Sequence, residues 1–273
     1  ESFLADKAWL FGLVLAIFIG MVIIGGVQSI ARATSRIVPF MVVLYVTTCL
    51  FVILSHFSSI PWAFGQIIEG AFTGEGVAGG VVGVLIQGFK RAAFSNEAGL
   101  GSAPIAHATA RTKEPIAEGY VALLEPFIDT VVICTMTALA IIITGRLDND
   151  TLTGVALTSD AFASVIPWFP YVLAVSVVLF AFSTSLAWFY YGLKSITYLV
   201  GKHPSVDMGF KLFFCTCAII GASMSLGPVI DFSDAMIFMM TIPNVIGLYL
   251  LMPIVKRELR DYRQRLKDGD IAR

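Results

Sequence analysis

Seven long apolar stretches constrain this chain more than any other feature. They run about 8–25, 38–57, 77–95, 119–145, 168–198, 210–228 and 230–255. A helix that crosses a bilayer needs roughly 20 mostly apolar residues, and each stretch is long for a buried strand. The fifth is long enough to tilt or to project beyond the bilayer. Hydrophobic residues make up 57% of the chain and charged residues 14%, against roughly 45–50% and 25% in soluble domains. So few polar groups cannot cover a globular surface, and the chain must face lipid. That excludes a soluble enzyme, a nucleic-acid binder and a disordered tail. The expectation is an all-α integral membrane protein with the lipid bilayer as its partner. It has a polytopic domain over 1–255 and a basic tail over 256–273.

Lys and Arg orient such a chain, because short cytoplasmic loops hold them in excess. With the chain start outside, the inner loops carry Arg32, Arg36, Arg111, Lys113, Lys202 and Lys211. The tail adds Lys256, Arg257, Arg260, Arg263, Arg265, Lys267 and Arg273. The outer side keeps Lys7 and Arg146, beside Glu69, Glu75, Asp148, Asp150 and Asp160, while Lys90, Arg91 and Lys194 fall within spans. Thirteen inner cations against two outer ones require an odd number of crossings, and seven satisfies that. The expectation is a multi-pass protein of the cell membrane with a cytoplasmic C-terminal tail. Residue 1 is Glu and no signal peptide precedes the first span, so the outside start reads as the later part of a longer chain.

Other features carry less. Cys49, Cys134, Cys215 and Cys217 all lie inside apolar runs, which fits lipid or core packing and neither a disulfide framework nor a zinc site. Gly74-Glu-Gly-Val-Ala-Gly79 matches G-x-G-x-x-G, but it leads from an outer loop into a membrane helix and not through a βαβ unit. Asn149-Asp-Thr151 is a glycosylation sequon on an outer loop, of consequence only in a eukaryotic host. His56 and His203 fall near loops and read as incidental.

The informative stretch is Gly88-Phe-Lys-Arg-Ala-Ala-Phe-Ser-Asn-Glu-Ala-Gly-Leu-Gly-Ser-Ala-Pro-Ile-Ala-His-Ala-Thr109. Polar groups within a span are costly and usually face a cavity or a partner. Here Ser95, Asn96 and Glu97 stand in a row before Gly99 and Gly101, two residues that weaken a helix interior. Ser102 suits an N-cap, and Pro104 suits a first helical turn. The spacing predicts a helix that breaks near 95–101 and restarts near 102. Freed N–H and C=O groups at membrane depth persist where they line a substrate or ion site. The restarted half offers its positive end to a carboxylate, and freed carbonyls with Ser95 or Asn96 offer ligands to a cation. The competing reading is a short cytoplasmic turn with Glu97 in water.

That stretch resembles the signature of the alanine or glycine:cation symporter family, the sodium:alanine symporters. Gly26-x-x-x-Ile30-Ala31-Arg32 with Pro39-Phe40, Glu125-Pro-Phe-Ile-Asp129-Thr130 and Ile242-Pro243-Asn244 support it. The resemblance implies a LeuT-type fold of two inverted five-helix repeats, with the seven spans as core helices four to ten. It also implies sodium-coupled symport of a small neutral amino acid, alanine or glycine. Sodium is then the coupling ion, and there is no other cofactor. The family's first core helix, which supplies half of the substrate site, would lie upstream, so these 273 residues alone would not transport.

Residue by residue, the resemblance places the unwound segment at Ser95 to Gly101. Phe94 would lean over the substrate, Ser95 would contact sodium, and Glu97, Gly99, Leu100 and Gly101 would line the pocket, with Glu97 bracing the unwound backbone. In Ala181-Phe-Ser-Thr-Ser-Leu-Ala-Trp188, the fold implies a sodium site from the Ala181 carbonyl and the Thr184 and Ser185 hydroxyls. Thr184 and Trp188, one turn apart on one face, would meet substrate. Arg91 and Asp234 would form an outer lid by analogy, with solvated vestibule charges as the alternative. Glu125 and Asp129 are spaced one turn apart and would pair with Arg91 or carry protons, unless Glu125 sits in water. His107 in the signature reads as structural more readily than as a proton relay. No His-x-x-x-His or Gly-x-Ser-x-Gly is present and no cysteine neighbours a histidine, so the expectation is not an enzyme. The remaining alternative is a LeuT-type carrier of another small solute, or one coupled to protons through Glu97, Glu125 or Asp129.

Overall fold

The computed structural model describes residues 7–73, 80–147 and 151–271. Among these residues the chain forms helices and no strand. Lipid offers no hydrogen-bond partner to an open backbone, so each spanning segment must bond within itself. We number the helices α1 Ala8–Ile24, α2 Gly26–Ser55, α3 Ile60–Thr73, α4 Gly80–Asn96 and α5 Ala103–His107. Then come α6 Pro115–Ile143, α7 Val155–Val165, α8 Phe169–Val200, α9 Pro204–Ala222 and α10 Leu226–Asp268. The helices α2, α6, α8, α9 and α10 are each long and apolar enough to cross a membrane. Their outward faces are greasy: Tyr198 is 88% exposed and Leu250 74%, as lipid contact requires. The four cysteines are free thiols. The G-x-G-x-x-G match at 74–79 and residues Asn149 and Asp150 of the sequon lie outside the described residues.

Several boundaries differ from the sequence reading for local reasons. Residues 26–37, expected as an inner loop, are helical and continuous with the second span. The reversal before them is confined to Gly25 and Gly26, and Gly26 takes φ +69°, which glycine adopts freely. α9 begins at Pro204, six residues before the expected 210, because Pro fits a first turn and the His203 ring accepts the Ser205 N–H at 3.3 Å. The loops after α2 and α6 also hold helices that a search for 20-residue stretches passes over. α3 seats Ala63 against Ile53, Leu139, Ile142 and Ile143, and α7 seats Phe162 beside Tyr45, Cys49, Phe169 and Leu173.

Three apolar clusters hold the bundle. One joins α2, α6, α7 and α8. A second packs Ile19 and Ile23 of α1, Ile30 of α2 and Leu186 and Phe189 of α8, with Phe210 and Phe214 of α9 behind them. The third joins the C-terminal ends of α2 and α6 to α3. Small residues bring backbones together where there is no hydrophobic drive between helices. At Gly12 of α1, an added Cβ would lie 2.7 Å from Ala222 Cβ and 3.0 Å from Ile219 Cα of α9. Tyr45 and Thr137 hydroxyls bond α2 to α6 at 2.6 Å.

The basic tail is no separate element as far as Asp268. It continues α10 and stops at Gly269 in the left-handed region, φ +82°. Leu259, Tyr262 and Leu266 are its less exposed positions, and the Tyr262 ring lies 6.3 Å from that of Tyr120 on α6. Both Arg265 Nη atoms donate to the Glu114 carboxylate at 2.7 Å. This fork holds the Glu114 carboxyl below its ordinary value. A lowered carboxyl stabilises the docked tail above the ordinary pKa of about 4.3 and loses that contribution as pH falls through the lowered value. Spin labels at positions 113 and 267 should therefore move apart on acidification below about pH 4. Arg265→Gln should hold them apart at every pH, and an unchanged distance in that variant would remove the fork from the account.

Candidate functional site

α4 ends at Asn96 and helix resumes at Ala103. Between them Glu97, Gly99 and Gly101 take φ of +54°, +83° and +94°. Among the described residues Glu97 alone combines a side chain with positive φ, a conformation that costs roughly 1–2 kcal/mol for an L-residue and clusters at functional sites. Leu100 and Ser102 are buried and pin the segment. The predicted break is thus present, spanning 97–102.

Its internal bonding differs from the expectation. Ser102 takes α-region dihedrals ahead of the helix and makes no side-chain cap. Its hydroxyl donates instead to Glu97 Oε2, because a half-buried carboxylate needs donors more than a helix end needs an acceptor. The restarted helix α5 is five residues long, so few peptide dipoles align there. Asn96 ties the segment sideways: its Oδ1 accepts the Ala98 N–H at 2.9 Å, and its Nδ2 donates to Thr130 Oγ1 at 2.8 Å. The Ser95 hydroxyl donates to Asp129, and Thr130 Oγ1 donates to the same oxygen, Asp129 Oδ2, at 3.1 Å. Asp129 and Thr130 lie on a π-helical segment, Phe127–Cys134, within α6. Pro126 just before it has no N–H and cannot continue the α-helical ladder, and such widened turns often mark functional sites.

A cavity of about 610 Å³ brings the two halves of the predicted site together. Phe94, Ser95 and Glu97 line it with Thr184 and Trp188 of α8, and Phe232, Ser233, Met236, Ile237 and Met240 of α10 complete its wall. Gly99, Leu100 and Gly101 are not among its walls. They meet α10: Asn244 Nδ2 donates to the Gly99 carbonyl at 2.8 Å, and a Cβ on Gly101 would come 3.1 Å from the Asn244 side chain. Ala181 and Ser185 are also outside its walls, and the Ser185 hydroxyl donates to the Ala181 carbonyl at 2.7 Å. Thr184 borders a second cavity as well, of about 500 Å³, whose walls include Thr109, Glu125, Ser183 and Tyr191.

The charged residues sort into three groups. Arg91 pairs with the buried Asp234, Lys90 Nζ joins at 3.2 Å, and the Arg91 guanidinium lies 5.5 Å from the Phe94 ring centroid. Arg91 therefore serves α10, and the expected pairing with Glu125 or Asp129 is not made. Glu125 instead meets His107 Nε2 at 3.4 Å, whose Nδ1 holds Glu118 at 2.6 Å. Asp129 goes to Ser95. Among the described residues no group of three metal-ligating His, Cys, Asp or Glu side chains forms.

Sequence reasoning missed the α10 wall and the hold that Asn244 has on Gly99. A signal existed for the first. Phe232, Ser233, Met236 and Met240 fall at i, i+1, i+4 and i+8, which is one face of a helix. The Asn244 contact had none, since Gly99 and Asn244 are 145 residues apart.

Comparison with known proteins adds a separate line. The model of the sodium:alanine symporter family matches residues 1–273. The chain is 40% identical over 261 residues to the sodium/alanine symporter AgcS of Methanococcus maripaludis, covering 94% of this chain and 57% of that protein. It is 38% identical over 262 residues to an uncharacterized transporter of Haemophilus influenzae, covering 93% of this chain and 57% of that protein. With the probable sodium/glutamine symporter GlnT of Bacillus subtilis it shares 35% over 260 residues, 94% of this chain and 54% of that protein. The chain thus spans just over half the length of the curated relatives it matches.

Proposed function

Because the chain belongs to the sodium:alanine symporter family, we propose that it forms the later part of a sodium-coupled symporter of a small neutral amino acid, alanine or glycine, in the cell membrane. The observation that carries this reading is the shared cavity. The broken helix and α8, some ninety residues apart in sequence, put an aromatic ring, two hydroxyls, a carboxylate and an indole around one space. The fold would be of the LeuT type, with α1, α2, α4 with α5, α6, α8, α9 and α10 as core helices four to ten. The tail beyond residue 255 would be cytoplasmic, as the charge distribution favours.

In this mechanism sodium is the coupling ion and no other cofactor takes part. Ser95, Ala181, Thr184 and Ser185 are the proposed sodium ligands. Sodium binding would turn the Ser185 hydroxyl off the Ala181 carbonyl and order the unwound segment. Phe94, Glu97 and Trp188 would then enclose the amino acid, with Thr184 at the passage between the two cavities. Gly99, Leu100 and Gly101 would shape the site through the backbone, held by Asn244. The Lys90, Arg91 and Asp234 cluster would close the outer side over Phe94, and rocking of one bundle would expose the inner cavity.

One observation favours a second reading. Ser95 is bonded to the carboxylate Asp129, so a proton on Asp129 would serve where sodium does in the first reading. Uptake of radiolabelled alanine into proteoliposomes carrying the full-length protein separates the two. An inward sodium gradient should drive accumulation that vanishes when potassium replaces sodium at fixed pH. Equal uptake in both cations would remove sodium coupling and move the ion role to Asp129.

A further inference from the structure

A third cavity adjoins the second across Val27, Ile30 and Tyr190, where the α1–α2 turn, the end of α8 and the start of α9 converge. It measures about 660 Å³. Lys194, Lys202 and Lys211 line it from different elements, and Asp207 is the one carboxylate in its wall. Asp207 is already committed to Lys211 at 2.6 Å. Lys194 and Lys202 have no ion-pair partner among the described residues. The Lys194 ammonium rests 5.3 Å from the Tyr190 ring centroid, which keeps it at the rim.

One of two helix starts adds to the same field. The 30-residue helix α2 starts at Gly26 and the 19-residue helix α9 starts at Pro204, and both residues border the cavity. In α9 the Ser205, Val206 and Asp207 N–H groups are held by His203, so the start of α2 is the end that favours an anion, and it has no acidic residue in its first turn. Thr197 and His203 are also in the wall, and Val27, Ile30, Phe189 and Leu193 form an apolar floor. A charged rim over an apolar floor, on the face where Lys and Arg gather, is the form of a lipid site between spanning helices.

We infer that this cavity binds the phosphate headgroup of an anionic phospholipid of the inner leaflet, with Lys194 and Lys202 on the phosphate and an acyl chain along Val27 and Leu193. A free phosphate would use the same lysines but gain nothing from that floor, so the lipid is the occupant the cavity fits.

Native mass spectrometry of the full-length protein in detergent, titrated with phosphatidylglycerol, tests this. A lysine near an anionic surface contributes enough for about a fivefold change in affinity. Lys194→Gln and Lys202→Gln should each weaken the lipid adduct about fivefold, and the pair about 25-fold. Lys194→Arg should retain it, and phosphatidylcholine should bind poorly throughout. Val27→Trp should displace the lipid with no change of charge, which covers the case of a glutamine variant that fails to fold. The site is overturned if the double variant binds phosphatidylglycerol like the parent, or if Lys256→Gln with Arg260→Gln in the tail loses as much. Displacement of the adduct by millimolar inorganic phosphate would overturn the lipid as occupant.

Discussion

In the full-length protein, Gly101→Ala is expected to insert in the membrane and, on the proposed sodium-coupled reading, to lose about nine-tenths or more of the alanine uptake. Gly101 sits at φ +94°, and a Cβ there would stand 3.1 Å from the Asn244 side chain. The backbone alone costs an L-residue about 1–2 kcal/mol in the left-handed region, and 1.4 kcal/mol is a tenfold change in a population. The crowding of Asn244 adds to this, because Asn244 cannot retreat without releasing the Gly99 carbonyl it holds at 2.8 Å. Asn244→Ala removes the obstacle and the donor together, so the double variant should be less impaired than the two single losses combined, as coupled neighbours are. Initial uptake rates, normalised to protein extracted in folded form, decide this. Full activity in Gly101→Ala would mean that the geometry of the break does not matter to transport.

The second large effect concerns Asp234, whose side chain is 6% exposed while Lys90 and Arg91 are 34% and 40% exposed. The exposed cations are screened, so the ion pairs themselves contribute little. The carboxylate is the sensitive partner. Lys90→Leu with Arg91→Leu leaves it buried and uncompensated, which costs about 3–5 kcal/mol. The variant should melt well below the parent in detergent. Adding Asp234→Leu should return most of that stability, since an apolar trio leaves no charge without a partner, and it should not return uptake if the cluster closes the outer side. A double variant as stable as the parent would show that Asp234 finds water or another partner. A triple variant with normal uptake would remove the cluster from the transport cycle.

Much of the site was legible because its signals are local. Ser95-Asn96-Glu97 inside a greasy run, followed by Gly99 and Gly101, located the break to within a residue or two, since positive φ and lost helix bonds depend on adjacent residues. The same reasoning went wrong at Ser102. A serine before Ala-Pro looks like an N-cap, but the Glu97 carboxylate five residues away competes for its hydroxyl, and spacing alone does not show that Glu97 folds back. At Glu125 and Asp129 a one-turn spacing suggested a common partner. The π-helical segment behind Pro126 changes the register, and the two carboxylates serve His107 and Ser95 instead. The helices α3 and α7 escaped notice because each packs against one end of the bundle, and so is shorter than a span.

The sequence by itself determined that the chain is built of apolar helices suited to lipid and where one helix must break, while among the described residues five of the seven expected spans are helices long enough to cross. Hydrophobicity, glycine conformations and loop charge are properties of a residue and its near neighbours, and they survive without a fold. Only the tertiary structure decided which residue meets which. That Arg91 finds Asp234 across 143 positions, that Asn244 seizes the Gly99 carbonyl and that Asp129 reaches Ser95 all follow from how packed helices set their faces. That choice rests on close contacts such as Gly12 against Ala222, and no periodicity within a single helix encodes its partner.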